Sequence, residues 1–176
     1  IVAMGSLAES RDNETGNHIR RTQHYMLALC EQLREYPKFA AEMSVANIRA
    51  LFKSAPMHDV GKVAIPDNIL HKPGKLTPEE FSVMKQHPEQ GAEMIDALLD
   101  HFGLSAMPQA GLLRNIALHH HETINGKGYP SGLAGDAIPL EARIAAVADV
   151  FDALTSKRPY KEAWTNEQAF ETLQKM

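Results

Sequence analysis

Helical periodicity, with clearly marked helix starts, most constrains what this chain can fold into. One apolar stripe at the spacing of an α-helix face is formed by Ile19, Met26, Leu29, Cys30 and Leu33. Thr77-Pro78-Glu79-Glu80 and Thr165-Asn166-Glu167-Gln168 both have the pattern of a capping box, which fixes where a helix begins. Ser44 is a further candidate cap, at the start of an apolar stripe formed by Val45, Ile48, Leu51 and Phe52.

Two more helices are predicted, over residues 112–121 and 140–155. The core face of the second is expected to consist of Ile144, Val147, Ala148 and Phe151. Only Val63-Ala64-Ile65 hints at extended chain, and three residues are too few to form a sheet. The fold class predicted from the sequence is therefore an all-α helical bundle.

Proline and glycine mark the interruptions between helices. Pro88 should break or kink a helix just after His87. Residues 66–76 and 125–139 are rich in turn-forming residues and are predicted to be loops. Loops of this length inside a compact helical domain more often carry function than not, so both are candidates for a binding site.

Length and composition limit the class of protein. With 176 residues, the chain is long enough for one domain whose core needs no disulfide. A net charge of -4 argues against a general DNA, RNA or anionic-membrane binder, because such proteins need a basic face. The sequence has no run of about 18 apolar residues and so encodes no membrane span. The one cysteine, Cys30, lies among apolar residues at helical spacing and is predicted to be a buried thiol, which fits a reducing compartment.

The two ends of the sequence indicate a piece of a longer protein. The first seven residues read as a helix already under way, and residues 167–176 read as a helix cut short. Residues 1–176 are therefore expected to be one catalytic domain, truncated at both ends.

Histidine and acidic residues in separate segments form the chemically most informative pattern. His58-Asp59 closes one helical segment, His120-His121-Glu122 closes another, and Asp149 lies inside a third. Imidazole and carboxylate ligands without a thiolate suit Fe, Mn, Ni or Zn. A pair of such ions is suited to phosphate-ester hydrolysis, because the cations clamp the phosphoryl group and activate a water molecule. The pattern therefore points to a metal-dependent phosphohydrolase.

Spacing limits which of these residues can share a site. Glu14 and His18 are four residues apart and face the same side of a helix. Consecutive residues such as His120 and His121 point about 100° apart on a regular helix. Both reach one site only if the helix ends there, as the turn-forming pair Asn125-Gly126 predicts. Spacing leaves open which two of the three consecutive histidines bind metal.

The ordered set of motifs resembles the HD-GYP family, which consists of bacterial phosphodiesterases of cyclic di-GMP within the HD phosphohydrolase superfamily. The matching segments extend over residues 12–161, nearly the whole chain. They are Asp12-Asn13-Glu14-Thr15-Gly16-Asn17-His18, His58-Asp59-Val60-Gly61-Lys62, His87-Pro88-Glu89-Gln90-Gly91-Ala92, His120-His121-Glu122, Gly126-Lys127-Gly128-Tyr129-Pro130, Ile138-Pro139-Leu140-Glu141-Ala142-Arg143-Ile144, Ala148-Asp149-Val150-Phe151-Asp152-Ala153-Leu154-Thr155 and Arg158-Pro159-Tyr160-Lys161.

The resemblance implies an HD-type helical bundle with a full set of metal ligands. The positions that match the core ligands are His18, His58, Asp59 and Asp149, and Asp59 is suited to bridge two ions. The positions that match the ligands of the second ion are His87, His120 and His121, which leaves His119 as a helix residue. Glu14 marks the subgroup that can hold a third metal. Two or three divalent ions are thus implied, with iron as the first expectation, manganese as the alternative, and nickel or zinc as further options.

Basic residues and the GYP loop, residues 125–139, are expected to contact the substrate. Lys62, Arg158 and Lys161 match positions that contact phosphate groups, and Lys62 and Asp59 are the expected catalytic residues. Tyr129 is either a lip over the substrate pocket or an anchor for its own loop.

The sequence departs from the family where Thr123-Ile124-Asn125-Gly126 replaces the common Arg-Trp-Asp-Gly. Asn125 keeps the capacity to form a turn but removes a charge, which affects loop contacts rather than metal chemistry. Outside the loop, Asp152 is expected to support a ligand or act as a polar helix residue. Trp164 is expected to be a core residue or packing anchor rather than a base-stacking residue, and three further histidines to be solvent-facing or structural: His24, His71 and His101.

The activity implied by the resemblance is hydrolysis of cyclic di-GMP to linear pGpG, GMP or both, by attack of an activated hydroxide on phosphorus. Three alternatives stay open: an HD-type nucleotide phosphohydrolase, a phosphodiesterase of mixed cyclic GMP-AMP, and a non-catalytic cyclic-dinucleotide sensor. Loss of a ligand would mark the sensor, and no ligand is lost. The resemblance also implies a cytoplasmic location and an upstream sensory or receiver domain. The expected partners are a second copy of the chain or a cyclic-di-GMP synthase domain that contacts the GYP loop.

Overall fold

The computed structural model describes residues 11, 17–157 and 162–175. Within this part of the chain there are helices and turns but no β-strand, so the all-α prediction is confirmed. The α-helices are α1 (His18–Arg34), α2 (Val45–Ser54), α3 (Asp67–Leu70), α4 (Pro78–Met84), α5 (His87–His101), α6 (Ala110–His119), α7 (Leu140–Thr155) and α8 (Asn166–Leu173). Short 3-10 helices cover Ala55–Met57, Val60–Ala64 and Gly135–Ala137. No described helix is both long and apolar enough to cross a membrane.

Helix starts follow the predicted caps. The Ser44 hydroxyl accepts a hydrogen bond from a backbone N–H in the first turn of α2. At α4 and α8 the capping boxes are complete, because Thr77 and Thr165 each accept a backbone N–H and return their own N–H to a side chain three residues later. Each cap accepts a hydrogen bond from a backbone N–H that would otherwise be unpaired at the helix start, which stabilises the folded state by about 1 kcal/mol.

Two clusters of buried apolar side chains form the core. The larger lies among α1, α2, α6 and α7 and consists of Met26, Cys30, Met43, Ile48, Leu51, Ala55, Ile116, Leu140, Ile144, Ala145 and Ala148. The smaller joins α5 and α6 to the segment after α2 and consists of Met57, Val60, Ile95, Leu99, Leu113 and Ala117. Cys30 is a buried free thiol as predicted, and burial raises its pKa to about 11, so the thiol stays protonated at neutral pH.

The core fixes the chemically important segment after α2. Met57 and Val60 both belong to the smaller cluster, so the His58-Asp59 pair between them is held at the centre of the bundle. The 3-10 helix Val60–Ala64 packs on the start of α5 at Gly61. A Cβ atom at Gly61 would collide with the backbone carbonyl of His87 and lie 2.5 Å from the backbone nitrogen of Gly91. Only glycine allows this approach.

Three local expectations about the backbone need correction. Val63 and Ala64 form the end of a 3-10 helix, and only Ile65 is extended. The helix break lies before His87 rather than just after it: α4 ends at Met84, and Pro88 lies in the first turn of α5, where its missing N–H breaks no hydrogen bond. The helix predicted over residues 112–121 spans Ala110–His119.

Two side chains expected to be buried are partly exposed. Val147 is 39% exposed, because α7 buries a face that runs through Ile144, Ala148 and Asp152 instead. Trp164 is also 39% exposed and is therefore not a core residue, although its backbone N–H donates to the carbonyl of Leu154 at 3.0 Å.

Candidate metal centre

Seven of the eight predicted ligands lie together at the centre of the bundle, in two groups. The first group consists of His18, His58 and Asp149, and the second of Asp59, His87, His120 and His121. Within each group the ligand atoms all lie within 4.8 Å of one another. The eighth predicted ligand, Glu14, lies outside the described residues.

Asp59 stands between the two groups. Its Oδ2 lies 3.2 Å from Nε2 of His58, which belongs to the first group. Its Oδ1 lies 3.3 Å from Nε2 of His87 and 3.6 Å from Nε2 of His120, which belong to the second. One carboxylate therefore faces two sets of imidazoles with different oxygens, which is the arrangement that a bridging ligand requires.

The end of α6 explains how consecutive histidines reach one site. The helix stops at His119, and His120 and His121 follow in a turn, with ring centroids 4.1 Å apart. His119 remains on the helix, and its Nδ1 lies 3.8 Å from the Glu122 carboxylate. The structure thus places the second and third of the three histidines, and not the first, with the other candidate ligands.

Backbone carbonyls or a carboxylate hold the Nδ1 atoms of four imidazoles and direct their Nε2 atoms towards the site. Nδ1 of His58 lies 2.7 Å from the carbonyl oxygen of Ala55, and Nδ1 of His87 lies 2.8 Å from that of Met84. Nδ1 of His120 lies 3.0 Å from the carbonyl oxygen of Ala117. Nδ1 of His18 lies 2.8 Å from the carboxylate of Asp152. Because an acceptor at Nδ1 favours the proton there, the lone pair of the neutral ring is left on Nε2. This is the tautomer that binds a metal.

Burial and charge also suit divalent cations. Among the described residues, the buried Nε2 of His58 has no well-aligned hydrogen-bond partner, although Oδ2 of Asp59 lies 3.2 Å away, and a poorly satisfied buried nitrogen is costly. Burial opposes charge on His58, but the Asp59 carboxylate outweighs it and raises the pKa of His58 to about 9. A metal ion that binds Nε2 would therefore take the place of a proton beside Asp59. Burial likewise opposes ionisation of Asp59, but Lys62 and His58 hold the pKa of its carboxyl well below its usual value.

The second group is suited to bind a cation through neutral imidazoles. Burial lowers the pKa of both His120 and His121, and for His121 the neighbouring imidazoles add to this effect. Nitrogen and carboxylate oxygen donors without sulfur match the preferences of ions such as iron, manganese and zinc. The residues present therefore fit divalent metal ions.

Two of the predicted substrate contacts lie beside the groups. Lys62 Nζ is 2.9 Å from Oδ2 of Asp59. The Tyr129 ring stacks on His121, with ring centroids 4.7 Å apart and an interplanar angle of 24°, and Phe81 packs edge-on against the tyrosine. This stacking fits the anchor role left open for Tyr129. Arg158 and Lys161 lie outside the described residues.

The GYP loop is tied to the end of α6 by Glu122, a role that the sequence did not reveal. The buried carboxylate of Glu122 accepts the backbone N–H groups of Ser131 at 2.7 Å and Leu133 at 3.0 Å. Gly128 lies against the backbone of residues 121–123, where a Cβ atom would be 2.5 Å from the His121 carbonyl oxygen. As expected, Asn125 forms a turn, because its side-chain oxygen accepts the N–H of Lys127 at 3.0 Å.

A second supporting residue, Arg21, was not anticipated. Its guanidinium donates to both carboxylate oxygens of Asp152, at 2.6 and 2.9 Å, and Asp152 in turn holds His18. Asp152 thus supports a candidate ligand, as expected. The available signal was spacing: Arg21 follows His18 by three residues, and Asp152 follows Asp149 by three, so each pair shares a helix face. The remaining histidines outside the site, His24, His71 and His101, are exposed.

Comparison with known proteins agrees with this geometry. A cyclic di-GMP phosphodiesterase of Vibrio cholerae is 53% identical over 96% of this chain and 34% of its own length. The cyclic di-GMP phosphodiesterase response regulator RpfG of Xanthomonas campestris is 50% identical over 92% of this chain and 39% of its own length. The 3'3'-cGAMP-specific phosphodiesterase 2 of Vibrio cholerae is 43% identical over 98% of this chain and 30% of its own length. The chain spans about a third of the length of these relatives.

The sequence also matches the HD domain family over residues 3–176, which is almost its full length. The match agrees with the all-α bundle and with the central His-Asp pair, and it confirms the resemblance seen in the motifs. The chain therefore belongs to the HD domain family.

Proposed function

We propose that this chain is the catalytic domain of a metal-dependent phosphodiesterase that hydrolyses cyclic di-GMP to pGpG, GMP or both. The observation that carries the proposal is the position of Asp59, whose two carboxylate oxygens face two separate groups of imidazoles. Two adjacent cation sites are the arrangement suited to phosphodiester hydrolysis. Relatives named for cyclic di-GMP, at 50–53% identity, support the choice of substrate.

In this proposal, two residue groups hold two divalent ions, and Asp59 contributes to both. His18, His58 and Asp149 would hold one ion, and His87, His120 and His121 the other. Divalent ions bound in this way supply Lewis-acid activation of water and neutralise charge on the phosphate. Iron as the first choice and manganese as the second follow from the resemblance to the HD-GYP family, and the sulfur-free, imidazole-rich donor set is compatible with both ions. A third ion at Glu14 belongs to the same proposal.

The chain's own groups orient the substrate and balance its charge. Lys62 lies beside Asp59 and would neutralise a non-bridging phosphate oxygen as a point charge. Arg158 and Lys161 are proposed as further phosphate contacts, with the arginine offering a planar fork. The GYP loop, anchored by Glu122 and by Tyr129 on His121, borders the site and would limit the access of water.

Mixed cyclic GMP-AMP is a second candidate substrate. A relative that is 43% identical over almost the whole chain is named a 3'3'-cGAMP-specific phosphodiesterase. Three relatives named for cyclic di-GMP are 48–53% identical to this chain, and this higher identity supports cyclic di-GMP as the first candidate.

A regulatory segment attached to this chain is also proposed. The support comes from the relative named a response regulator. That protein is about two and a half times as long as its segment that matches this chain.

Chromatography of reaction products tests the proposal. The chain, reconstituted with Fe or Mn, should convert cyclic di-GMP to pGpG or GMP and should cleave cyclic GMP-AMP more slowly. The Asp59→Asn variant is the control and should give no product. Hydrolysis of linear nucleotides with no turnover of either cyclic dinucleotide would instead identify a nucleotide phosphohydrolase. Tight binding of cyclic di-GMP without any product would identify a sensor.

A further inference from the structure

His18 differs from the other buried imidazoles of the centre in what holds it. His58, His87 and His120 present Nδ1 to backbone carbonyls, which no side-chain substitution can remove directly. His18 presents Nδ1 to a side chain, the Asp152 carboxylate, at 2.8 Å. The two ligand groups are therefore supported differently, because His18 belongs only to the first.

The Asp152 carboxylate is fixed from two sides. It is 1% exposed, and Arg21 contacts both of its oxygens in a fork, through Nε at 2.6 Å and Nη2 at 2.9 Å. A buried carboxylate needs such a cation to remain charged. The bidentate geometry also fixes the plane of the carboxylate and, through it, the ring orientation of His18.

A carboxylate acceptor affects a ligating imidazole more strongly than a carbonyl does. Its negative charge makes the ring a stronger electron donor, and its position sets the direction of Nε2. In this structure Nε2 of His18 points towards Asp149 of the same group, at 3.6 Å. Any change in the Asp152–Arg21 pair should therefore act on the first group and leave the second unaffected.

We propose that Asp152 and Arg21 are positioning residues that set the metal affinity of the His18–His58–Asp149 group independently of the second group. This inference rests on the metal centre of the proposed function but not on the identity of its substrate. Removal of a partner of this kind lowers metal affinity by about 10- to 100-fold. Breaking the pair should therefore weaken one of the two binding steps and leave the other unchanged.

Calorimetric titration of the metal-stripped chain with Mn²⁺ tests the proposal. Asp152→Asn should weaken one binding step by about 10- to 100-fold and leave the other unchanged. Arg21→Gln should have the same effect while keeping the carboxylate, and Arg21→Lys should restore part of the affinity because it keeps the charge but not the fork. Asp96→Asn is the matched control, since Asp96 pairs with Arg114 at 2.9 Å on the surface, and both steps should stay unchanged.

The melting temperature of each metal-stripped variant, measured on the same preparations, separates positioning from a structural role. A lower melting temperature with two unchanged binding steps in Arg21→Gln or Asp152→Asn would overturn the positioning role. Equal weakening of both steps would also overturn it. Absence of any metal binding by the wild-type chain would overturn the proposed function, and this inference with it.

Discussion

At the scale of single residues, the centre combines charges that are costly to bury with partners that compensate them. Asp59 is flanked by Lys62 and three imidazoles, and Asp152 by Arg21 and His18. Burial opposes ionisation of Asp152, but His18 and Arg21 together lower its pKa to about 2. Both acids thus stay charged at neutral pH. Asp59 is placed to bind the ions, whereas Asp152 holds His18.

Tyr129 should act mainly through its ring. Tyr129→Phe keeps the stacking on His121 and should retain metal content, melting temperature and most of kcat/KM. Tyr129→Ala removes the stack, which is worth about 0.5–1.5 kcal/mol, and should lower both melting temperature and metal content. If Tyr129→Phe instead lost most of its turnover with unchanged metal content, the hydroxyl would be a substrate contact and the anchor role would be insufficient.

Arg158 should contribute to turnover but not to metal binding. Loss of one charge-assisted phosphate contact in Arg158→Ala would cost about 1.5–3 kcal/mol, or roughly tenfold to a hundredfold in kcat/KM. Arg114→Ala, which removes a surface ion pair, is the control and should leave kinetics unchanged. The alternative is that Arg158 only caps the helix that ends at Thr155. A lower melting temperature with unchanged kinetics in Arg158→Ala would favour that alternative.

At the scale of elements, the ligands occur where helices begin or end. His18 and His87 open α1 and α5, and His120 and His121 follow the last residue of α6. Asp149 is the exception, because it lies inside α7. The ends of several helices meet at the metal centre because short connections such as Val60–Ala64 pack closely on neighbouring helices.

Gly61 should be essential for this convergence. In Gly61→Ala the new Cβ would collide with the carbonyl of His87 and displace the start of α5. We expect a loss of stability of about 1–3 kcal/mol and a reduced metal content, measured by chemical denaturation and elemental analysis. Gly111→Ala is the control, since nothing lies within 4 Å of its Cβ position in α6, and it should be neutral or stabilise by up to about 1 kcal/mol. Equal stability of the two variants would refute the packing role of Gly61.

The sequence predicts some parts of this architecture better than others. Caps at Ser44, Thr77 and Thr165 depend on contacts within one helical turn, so local spacing is sufficient to find them. The exposure of Val147 depends on how α7 rotates against its neighbours, which periodicity alone does not determine.

The candidate ligands were found through their motifs, whereas their supporting residues were not all found. Arg21 meets Asp152 across 131 positions of sequence, and Glu122 meets the backbone of the GYP loop, where no side-chain pattern marks the acceptor. Contacts of this kind depend on tertiary structure. The motifs therefore indicated the metal-binding chemistry and one supporting residue, Asp152, but not Arg21 or Glu122.

At the scale of the whole molecule, the centre joins most of the bundle. Its candidate ligands come from α1, α5, α7 and the segments that follow α2 and α6, so bound ions would cross-link five parts of the chain. A ligand that binds only the folded state adds to its stability. Metal binding and folding should therefore be coupled.

Removal of metal should accordingly destabilise the chain. Treatment with a chelator is expected to lower the melting temperature of the reconstituted wild type, and readdition of Mn²⁺ should restore it. Asp59→Asn, which is expected to bind metal poorly, should melt at the same temperature with and without chelator. A wild-type melting temperature that is insensitive to chelator would show that the ions do not link these segments.

The metal content of the reconstituted chain tests the binuclear centre most directly. Elemental analysis should give about two ions per wild-type chain, or three if Glu14 also binds, and less than about one in Asp59→Asn. A wild-type chain that binds no metal after reconstitution with Fe or Mn would contradict a metal centre. An Asp59→Asn variant that keeps two ions and full hydrolysis would contradict the bridging role of Asp59.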